Sequence, residues 1–265
     1  MIDSFYIFIF LPIIGFIIGL LVTMWGAGGG GLYVPLLILL FGVEPQVAVA
    51  TSLITIIPVT LIGSASHWKE RNLNLKIGIL FGIGGLVGAL FGIYLSSFLL
   101  GPILEQIIAI FLISIAFLML FGGKSKFNKI QYKDTIQSIP KINIRTFLIG
   151  IFFGFISGLM SGIAGLSGSP AIIGGLYLLN YPLETVVGTS VFVTLLNATS
   201  ASIGYGWFGH FDLMLTLLLS IGASIGAFFG PKLLNKIKGK TLEKIYVPIF
   251  VGVMIVMSVM MLLGL

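Results

Sequence analysis

Gly26-Ala27-Gly28-Gly29-Gly30-Gly31, with Pro35 close behind, interrupts a long apolar stretch of the chain, and Gly162-Ile163-Ala164-Gly165-Leu166-Ser167-Gly168-Ser169-Pro170 interrupts a second one. Glycine lets a backbone leave the helical region and lets a ligand or another segment approach closely. Around these two stretches the apolar runs fall at about 5–24, 32–41, 46–66, 76–99 and 104–122, then at about 146–162, 170–179, 184–205, 212–234 and 243–263. Eight of the runs approach the roughly 20 residues that a helix needs to cross a bilayer. The other two, 32–41 and 170–179, are about half that length and directly follow the glycine stretches. The chain begins Met1-Ile2-Asp3-Ser4 with no positive segment, so 5–24 reads as a retained span and not a cleaved signal peptide.

Composition supports the same class. Of 265 residues, 58% are hydrophobic and 8% charged, with a mean hydropathy of +1.18. Soluble domains carry about 25% charged residues, so a water-soluble enzyme is excluded and an all-α polytopic membrane protein in contact with the lipid bilayer is expected. Zero cysteines exclude a disulfide scaffold and cysteine-ligated metal, and two histidines leave little for any other metal site. No metal and no cofactor is expected. The net charge of +6 comes from lysines and arginines in three short segments, which reads as membrane topology and not as a nucleic-acid surface.

A shift of 138 positions, the distance from Thr51 to Thr189, aligns the two parts without a gap from about residue 13 to 120. It places Thr51-Ser52 on Thr189-Ser190, Gly30 on Gly168, and Gly84, Gly88, Ala89, Phe91 and Gly92 on Gly222, Gly226, Ala227, Phe229 and Gly230. Three segments follow: a first transmembrane repeat over 1–122, a basic linker over 123–145, and a second repeat over 146–265. Basic residues are retained on the cytoplasmic side. With five crossings per half and both termini outside, all 14 Lys and Arg are cytoplasmic. Re-entrant short segments, with four crossings per half, would put the five lysines of 232–244 outside. The expectation is therefore two inverted-topology repeats of about five helical segments each, with short broken helices near the midplane, which is a transporter architecture.

Paired helix breaks at equivalent positions are the sequence pointer to a substrate site in such proteins. A helix restarting after a break points bare N–H groups and its positive dipole end forwards, and proline fits the first turn of such a helix. The expected substrate-binding residues are Gly28, Gly29, Gly30 and Gly31 in the first break, and Ser167, Gly168 and Ser169 in the second. Thr51, Ser52, Thr189 and Ser190 join them as hydroxyl pairs near the midplane, as does Asn197. Gly84, Gly88 and Gly92, with Gly222, Gly226 and Gly230, read as helix-packing faces, because small residues at i and i+4 let membrane helices approach. Lys76, Lys232 and Lys244 stand only at the ends of expected spans and no Lys or Arg lies in the interior of one, so an anion would be held by helix N-termini and hydroxyls. Glu44 and Glu184 lie near helix starts, where a carboxylate serves as an N-terminal charge, with proton coupling as the second reading. His67 and His210 sit at segment ends beside or near tryptophans and read as interfacial anchors.

The glycine cluster followed by Pro35, the segment Val47-Ala48-Val49-Ala50-Thr51-Ser52-Leu53 and its second copy Val186-Val187-Gly188-Thr189-Ser190-Val191 resemble the TauE/SafE family of sulfite exporters over essentially the whole chain. This sequence departs from the family pattern at Leu166-Ser167-Gly168-Ser169-Pro170, where a fuller glycine run is usual. The resemblance implies export or import of a small anionic substrate such as sulfite, sulfoacetate, thiosulfate or another organosulfonate across the cytoplasmic membrane. With no Gly-x-x-x-x-Gly-Lys-Ser/Thr motif for ATP, the expected device is a secondary transporter working by alternating access, coupled to a proton or a sodium ion. The alternatives are a passive anion channel, an anchor for partner proteins, and an intramembrane serine protease built on Gly165-Leu166-Ser167-Gly168, which would need a histidine beside Ser167. The sequence is silent on oligomeric state.

Overall fold

In a bilayer core every backbone N–H and C=O has to be satisfied within the protein, so apolar runs of this length become helices. The computed structural model describes residues 4–26, 29–126, 143–208, 211–236 and 239–263, and each of the ten apolar runs is a helix in it. They are α1 (Ser4–Trp25), α2 (Gly30–Phe41), α3 (Pro45–Lys69), α4 (Leu75–Ser96) and α5 (Gly101–Lys126), then α6 (Ile144–Ala164), α7 (Ser169–Leu178), α8 (Leu183–Phe208), α9 (Leu213–Lys236) and α10 (Gly239–Leu263). Among the described residues, α3, α4, α6, α8 and α9 are long and apolar enough to cross a membrane. The shorter apolar stretches include Phe10–Met24 of α1, Gly101–Phe117 of α5 and Val251–Leu263 of α10. Most of the basic linker, with residues 127–142, lies outside the described residues, as does His210.

Polarity is distributed inside out relative to a water-soluble protein. Leu61, Val87, Leu90, Ile110 and Ile221 are exposed, whereas Thr23, Thr51, Ser52, Thr55, Thr189, Ser190 and Asn197 are fully buried. No Asp, Glu, Lys or Arg belongs to the buried polar set among the described residues. An apolar exterior with hydroxyls inside is what lipid selects, because helices there associate through small residues and buried polar groups, not through hydrophobicity.

The glycine stripes do this work. A Cβ on Gly84, Gly88 or Gly92 of α4 would run into the backbone of α6 at Ile151, Phe155 and Leu159. From the other side, Gly154, Gly158 and Gly162 back onto Phe81, Gly85 and Ala89. The same interlock joins α1 to α9: Gly222 and Gly226 rest on Pro12 and Phe16, and Gly15 and Gly19 rest on Leu219 and Ala223. α4·α6 and α1·α9 are the most extensive helix pairs, followed by α3·α9, α3·α8 and α4·α8. The first helix of each half thus packs on the fourth helix of the other.

These contacts correct the gapless register. Gly15 and Gly19 take the places of Gly154 and Gly158, a shift of 139 and not 138. The breaks follow suit: Gly26 matches Gly165, both with positive φ (72° and 64°), and Gly29 matches Gly168, both capping a short helix. From Thr51 and Thr189 onwards the shift is 138. The one-residue difference is absorbed between the breaks and the next long helices: 30–44 holds the 12 residues of α2 and a turn, whereas 169–182 holds the 10 residues of α7 and a turn one residue longer. The prolines differ as well. Pro170 stands in the first turn of α7, as expected. Pro35 lies inside α2, past its first turn, where its missing N–H frees the Gly31 carbonyl from the helical ladder.

Candidate functional site

The two breaks meet. Gly30, the first residue of α2, lies against the backbone of Gly165, Leu166 and Ser167, close enough that a Cβ there would collide with the Gly165 carbonyl. Only glycine permits that approach. The start of α2 is therefore seated on the segment that leads into α7. Short hydrogen bonds turn the chain at both places: the Gly29 carbonyl accepts from Leu32 N (2.9 Å) and Tyr33 N (3.1 Å), and the Gly168 carbonyl from Ala171 N (3.2 Å). Gly31, by contrast, faces only the flexible ends of Leu112 and Met254, and Gly28 lies outside the described residues.

Each serine of the Thr-Ser pairs ties a long helix to the break of the opposite half. Ser52 Oγ donates to the Gly165 carbonyl at 3.3 Å, and Ser190 Oγ to the Gly26 carbonyl at 2.9 Å. Ser190 also reaches back to Val187 O at 2.8 Å, the local bond that a helical serine can make. The threonines go elsewhere. Thr51 Oγ1 accepts from the backbone N–H of Asp212 at 3.0 Å, and Thr189 Oγ1 from that of Asn74 at 3.1 Å. Asp212 and Asn74 are themselves helix caps, taking N–H groups from Leu215 (2.9 Å) and Ile77 (3.3 Å). The threonines thus hold the starts of α9 and α4, donors that a helix leaves unpaired. The serines are brought to the breaks, and the threonines are used one step away from them.

The second break carries the polar chemistry. Ser169 Oγ donates to Ser167 Oγ at 2.9 Å and lies 3.3 Å from Thr194 Oγ1, which in turn reaches Ser167 O at 3.3 Å. All three side chains are buried. Asn197 stands slightly apart: its Nδ2 donates to Ser157 Oγ at 2.7 Å and its Oδ1 rests on Gly85, so it clamps α8 to α6 and α4. Ser157 also backs Gly168, which links that clamp to the break. The hydroxyls of Thr55 and Ser161 are buried with no hydrogen-bond partner. Thr194, Ser157, Ser161 and Thr55 escaped the sequence reading. Their spacing offered one clue, since Ser157 and Ser161 stand one helical turn apart on the face of α6 that carries its glycines.

The acidic residues sit at helix starts. Glu44 is the residue before α3, with no side-chain cap bond, and Glu184 lies in the first turn of α8. Both are exposed. His67 departs from the expected surface anchor. Trp68 is exposed, but His67 is fully buried, with Nε2 bonded to the Thr23 carbonyl of α1 at 2.9 Å. The helical phase decides this: neighbouring positions on α3 are rotated by about 100°, so Trp68 faces outwards while His67 faces α1. Along α3, His67 is about four turns beyond Ser52, the residue that touches the second break. It therefore stands far from Ser167.

A small cluster of buried hydroxyls at the start of α7, with no Lys or Arg buried among the described residues, is suited to a small solute with hydrogen-bonding oxygens. The comparisons with known proteins agree with a transport role. The family model described as "Sulfite exporter TauE/SafE" matches residues 11–261. "Probable membrane transporter protein YdhB" of Bacillus subtilis is 32% identical, over 76% of this chain and 79% of that protein. "Probable membrane transporter protein MJ0441" of Methanocaldococcus jannaschii is 34% identical, over 74% and 71% respectively. "Probable membrane transporter protein YunE" of Bacillus subtilis is 28% identical, over 80% and 83%. No solved structure matches the chain significantly. With a match over nearly its whole length, this multi-pass helical chain belongs to the TauE/SafE sulfite exporter family of membrane transporters.

Proposed function

We propose that the protein is a secondary transporter that moves a small sulfur-containing anion across the cell membrane by alternating access of two inverted repeats, residues 1–122 and 146–265. The linker 123–145 and the other basic segments face the cytoplasm in this reading, and both termini face outwards. The observation that carries it is the meeting of the two breaks, with Gly30 seated on Gly165–Ser167 and each break followed by a short helix. Reciprocal contacts support the inverted repeats: α1 on α9 with α4 on α6, Thr51 to Asp212 with Thr189 to Asn74, and Ser52 to Gly165 with Ser190 to Gly26. Such pairing around broken helices is how many secondary transporters build a midplane site.

The substrate oxygens would take hydrogen bonds from Ser167, Ser169 and Thr194 and from the N–H groups at the starts of α2 and α7. A helix start is favourable for negative charge, and hydroxyls add donors without fixing a cation in the membrane. Ser52 and Ser190 hold the breaks in place. A protease reading is disfavoured by the place of His67, about four turns along α3 from Ser52, the residue that touches the second break. The test is uptake by proteoliposomes of labelled sulfite, thiosulfate, sulfoacetate, sulfate and a carboxylate control, with and without an imposed pH gradient or membrane potential. Saturable uptake with counterflow of one sulfur anion, weakened by Ser169→Ala and Thr194→Val, is expected. Conductive, non-saturating flux would make the protein a channel, and no flux of any sulfur anion from folded protein would refute the substrate class.

A further inference from the structure

Among the described residues, His67 is the one fully buried side chain able to gain or lose a proton near neutral pH, since no Asp, Glu, Lys or Arg is buried. A carbonyl only accepts, so the 2.9 Å contact to Thr23 O places the hydrogen on Nε2 and leaves a lone pair on Nδ1. That Nδ1 has no hydrogen-bond partner. Thr23 is in the last turn of α1, where carbonyls lack helical partners, so the ring closes the end of α1 against the end of α3. Ser66 beside it closes the third side, donating to Phe228 O of α9 at 3.2 Å.

The other half has the same bolt in a form that does not titrate near neutral pH. Tyr205 matches His67 by the Thr51–Thr189 shift, and Gly162 matches Thr23 by the Gly26–Gly165 shift. Tyr205 OH donates to Gly162 O at 3.1 Å, with a second contact to Ser96 Oγ at 3.0 Å. One end of the molecule is thus held by a phenol and the other by an imidazole.

We propose that His67 is a proton-binding site that works as a latch, in which protonation of Nδ1 releases the contact between α3 and α1 and opens the lysine-bearing end of the transporter. The inference rests on the alternating-access reading above. The proton comes from water at that end and goes to the Nδ1 lone pair; no covalent bond breaks, and the hydrogen bond from Nε2 to the Thr23 carbonyl is given up as the charged ring moves to water. A buried imidazolium would then carry a charge and an N–H with nowhere to go, which favours the state in which the ring reaches water. Few charges stand near enough to hold it. Glu70, at the end of the same helix, acts on the ring through space. Lys69 and Arg71 are exposed, and so is Glu184 at the start of α8. On α9, exposed Lys232 is drawn over the Phe228 ring, 3.8 Å from its centre, and α1 offers no charged group among the described residues.

The test uses the absence of native cysteine. Ser66→Cys puts one thiol beside the latch, and its maleimide labelling in proteoliposomes reads opening of that end. Dividing the rate at pH 6 by that at pH 8, and normalising to the same cysteine with His67→Tyr, cancels the thiol's own titration. A normalised acid gain of about tenfold is expected, the shift that 1.4 kcal/mol of differential proton binding produces. His67→Gln should lose the gain as His67→Tyr does, so a folding defect in one variant does not decide the result. Equal acid response with and without His67 would overturn the latch. Sulfite counterflow measured on the same vesicles separates the two claims: its absence at every pH counts against sulfite as substrate, while the labelling ratio still decides the latch.

Discussion

The two helix breaks share a backbone frame but not a chemistry. Gly26 and Gly165 turn with the same sign of φ, each receives a serine hydroxyl from the opposite half, and Gly29 and Gly168 cap equivalent short helices. Around the second break stand Ser157, Ser161, Thr194 and Asn197, whereas their counterparts in the first half are Ile18, Val22, Ile56 and Val59, all buried. Beyond Thr51, Ser52 and Thr55, the buried polar side chains of α3 lie towards its far end, at Thr60, Ser64, Ser66 and His67. A repeated frame therefore needs hydroxyls on one side only to form a polar nest. The partner break supplies a helix start and a close backbone.

The contact between the breaks is where that comparison is easiest to destroy. Gly30→Ala should abolish transport and cost about 1–3 kcal/mol, because the new methyl group meets backbone that does not yield. Gly31→Ala, facing only the ends of Leu112 and Met254, should be mild. Thermal unfolding in detergent together with sulfite uptake would separate the pair, and equal behaviour would refute the meeting of the breaks.

Chemistry is the next level. Ser169→Ala combined with Thr194→Val should raise the concentration for half-maximal sulfite uptake about tenfold, as expected from losing one or two hydrogen bonds of about 1 kcal/mol each. Removing apolar bulk at the counterpart Ile56, through Ile56→Val, should leave that concentration nearly unchanged while lowering stability by about 1 kcal/mol. Similar substrate affinities in the two proteins would mean that the polar side of the nest is not where the substrate binds.

A smaller effect sharpens the shared frame. Thr51→Val and Thr189→Val each remove one acceptor from a helix start, through bonds of 3.0 and 3.1 Å. Each should lower stability by about 1 kcal/mol and by the same amount, with transport per folded molecule retained. A large difference between their melting temperatures would show that the halves are not equivalent at this level. Smallest of all, Ser190→Ala should cost a few tenths of a kcal/mol more than Ser52→Ala, since Ser190 makes the shorter bond to its break and a second bond to Val187.

Much of this was legible in the residues. The ten apolar runs set the ten helices because period and length alone decide what a lipid environment does with a polypeptide. The i, i+4 glycines announced helix-packing faces, and α4 uses Gly84, Gly88 and Gly92 in that way. The breaks were visible as glycine clusters. What escaped was anything that depends on which residues of distant segments share a space. Thr51 and Ser52 are neighbours in sequence, yet one caps α9 and the other binds the second break, because adjacent helical positions point about 100° apart. His67 beside Trp68 was misplaced for the same reason.

Sequence by itself determined that the chain is a set of apolar helices, where each begins and ends to within about four residues, and that two of them are short and preceded by glycine. Hydrophobic length and glycine placement are local properties, readable without knowing the neighbours. Only the tertiary structure decided that the two breaks touch, that the first helices and breaks run at a shift of 139 while the rest keep 138, and that hydroxyls from α7 and α8 converge beside Gly168. Those are matters of register between helices far apart in the chain. In lipid that register is set by close packing of small residues, and no single segment contains it.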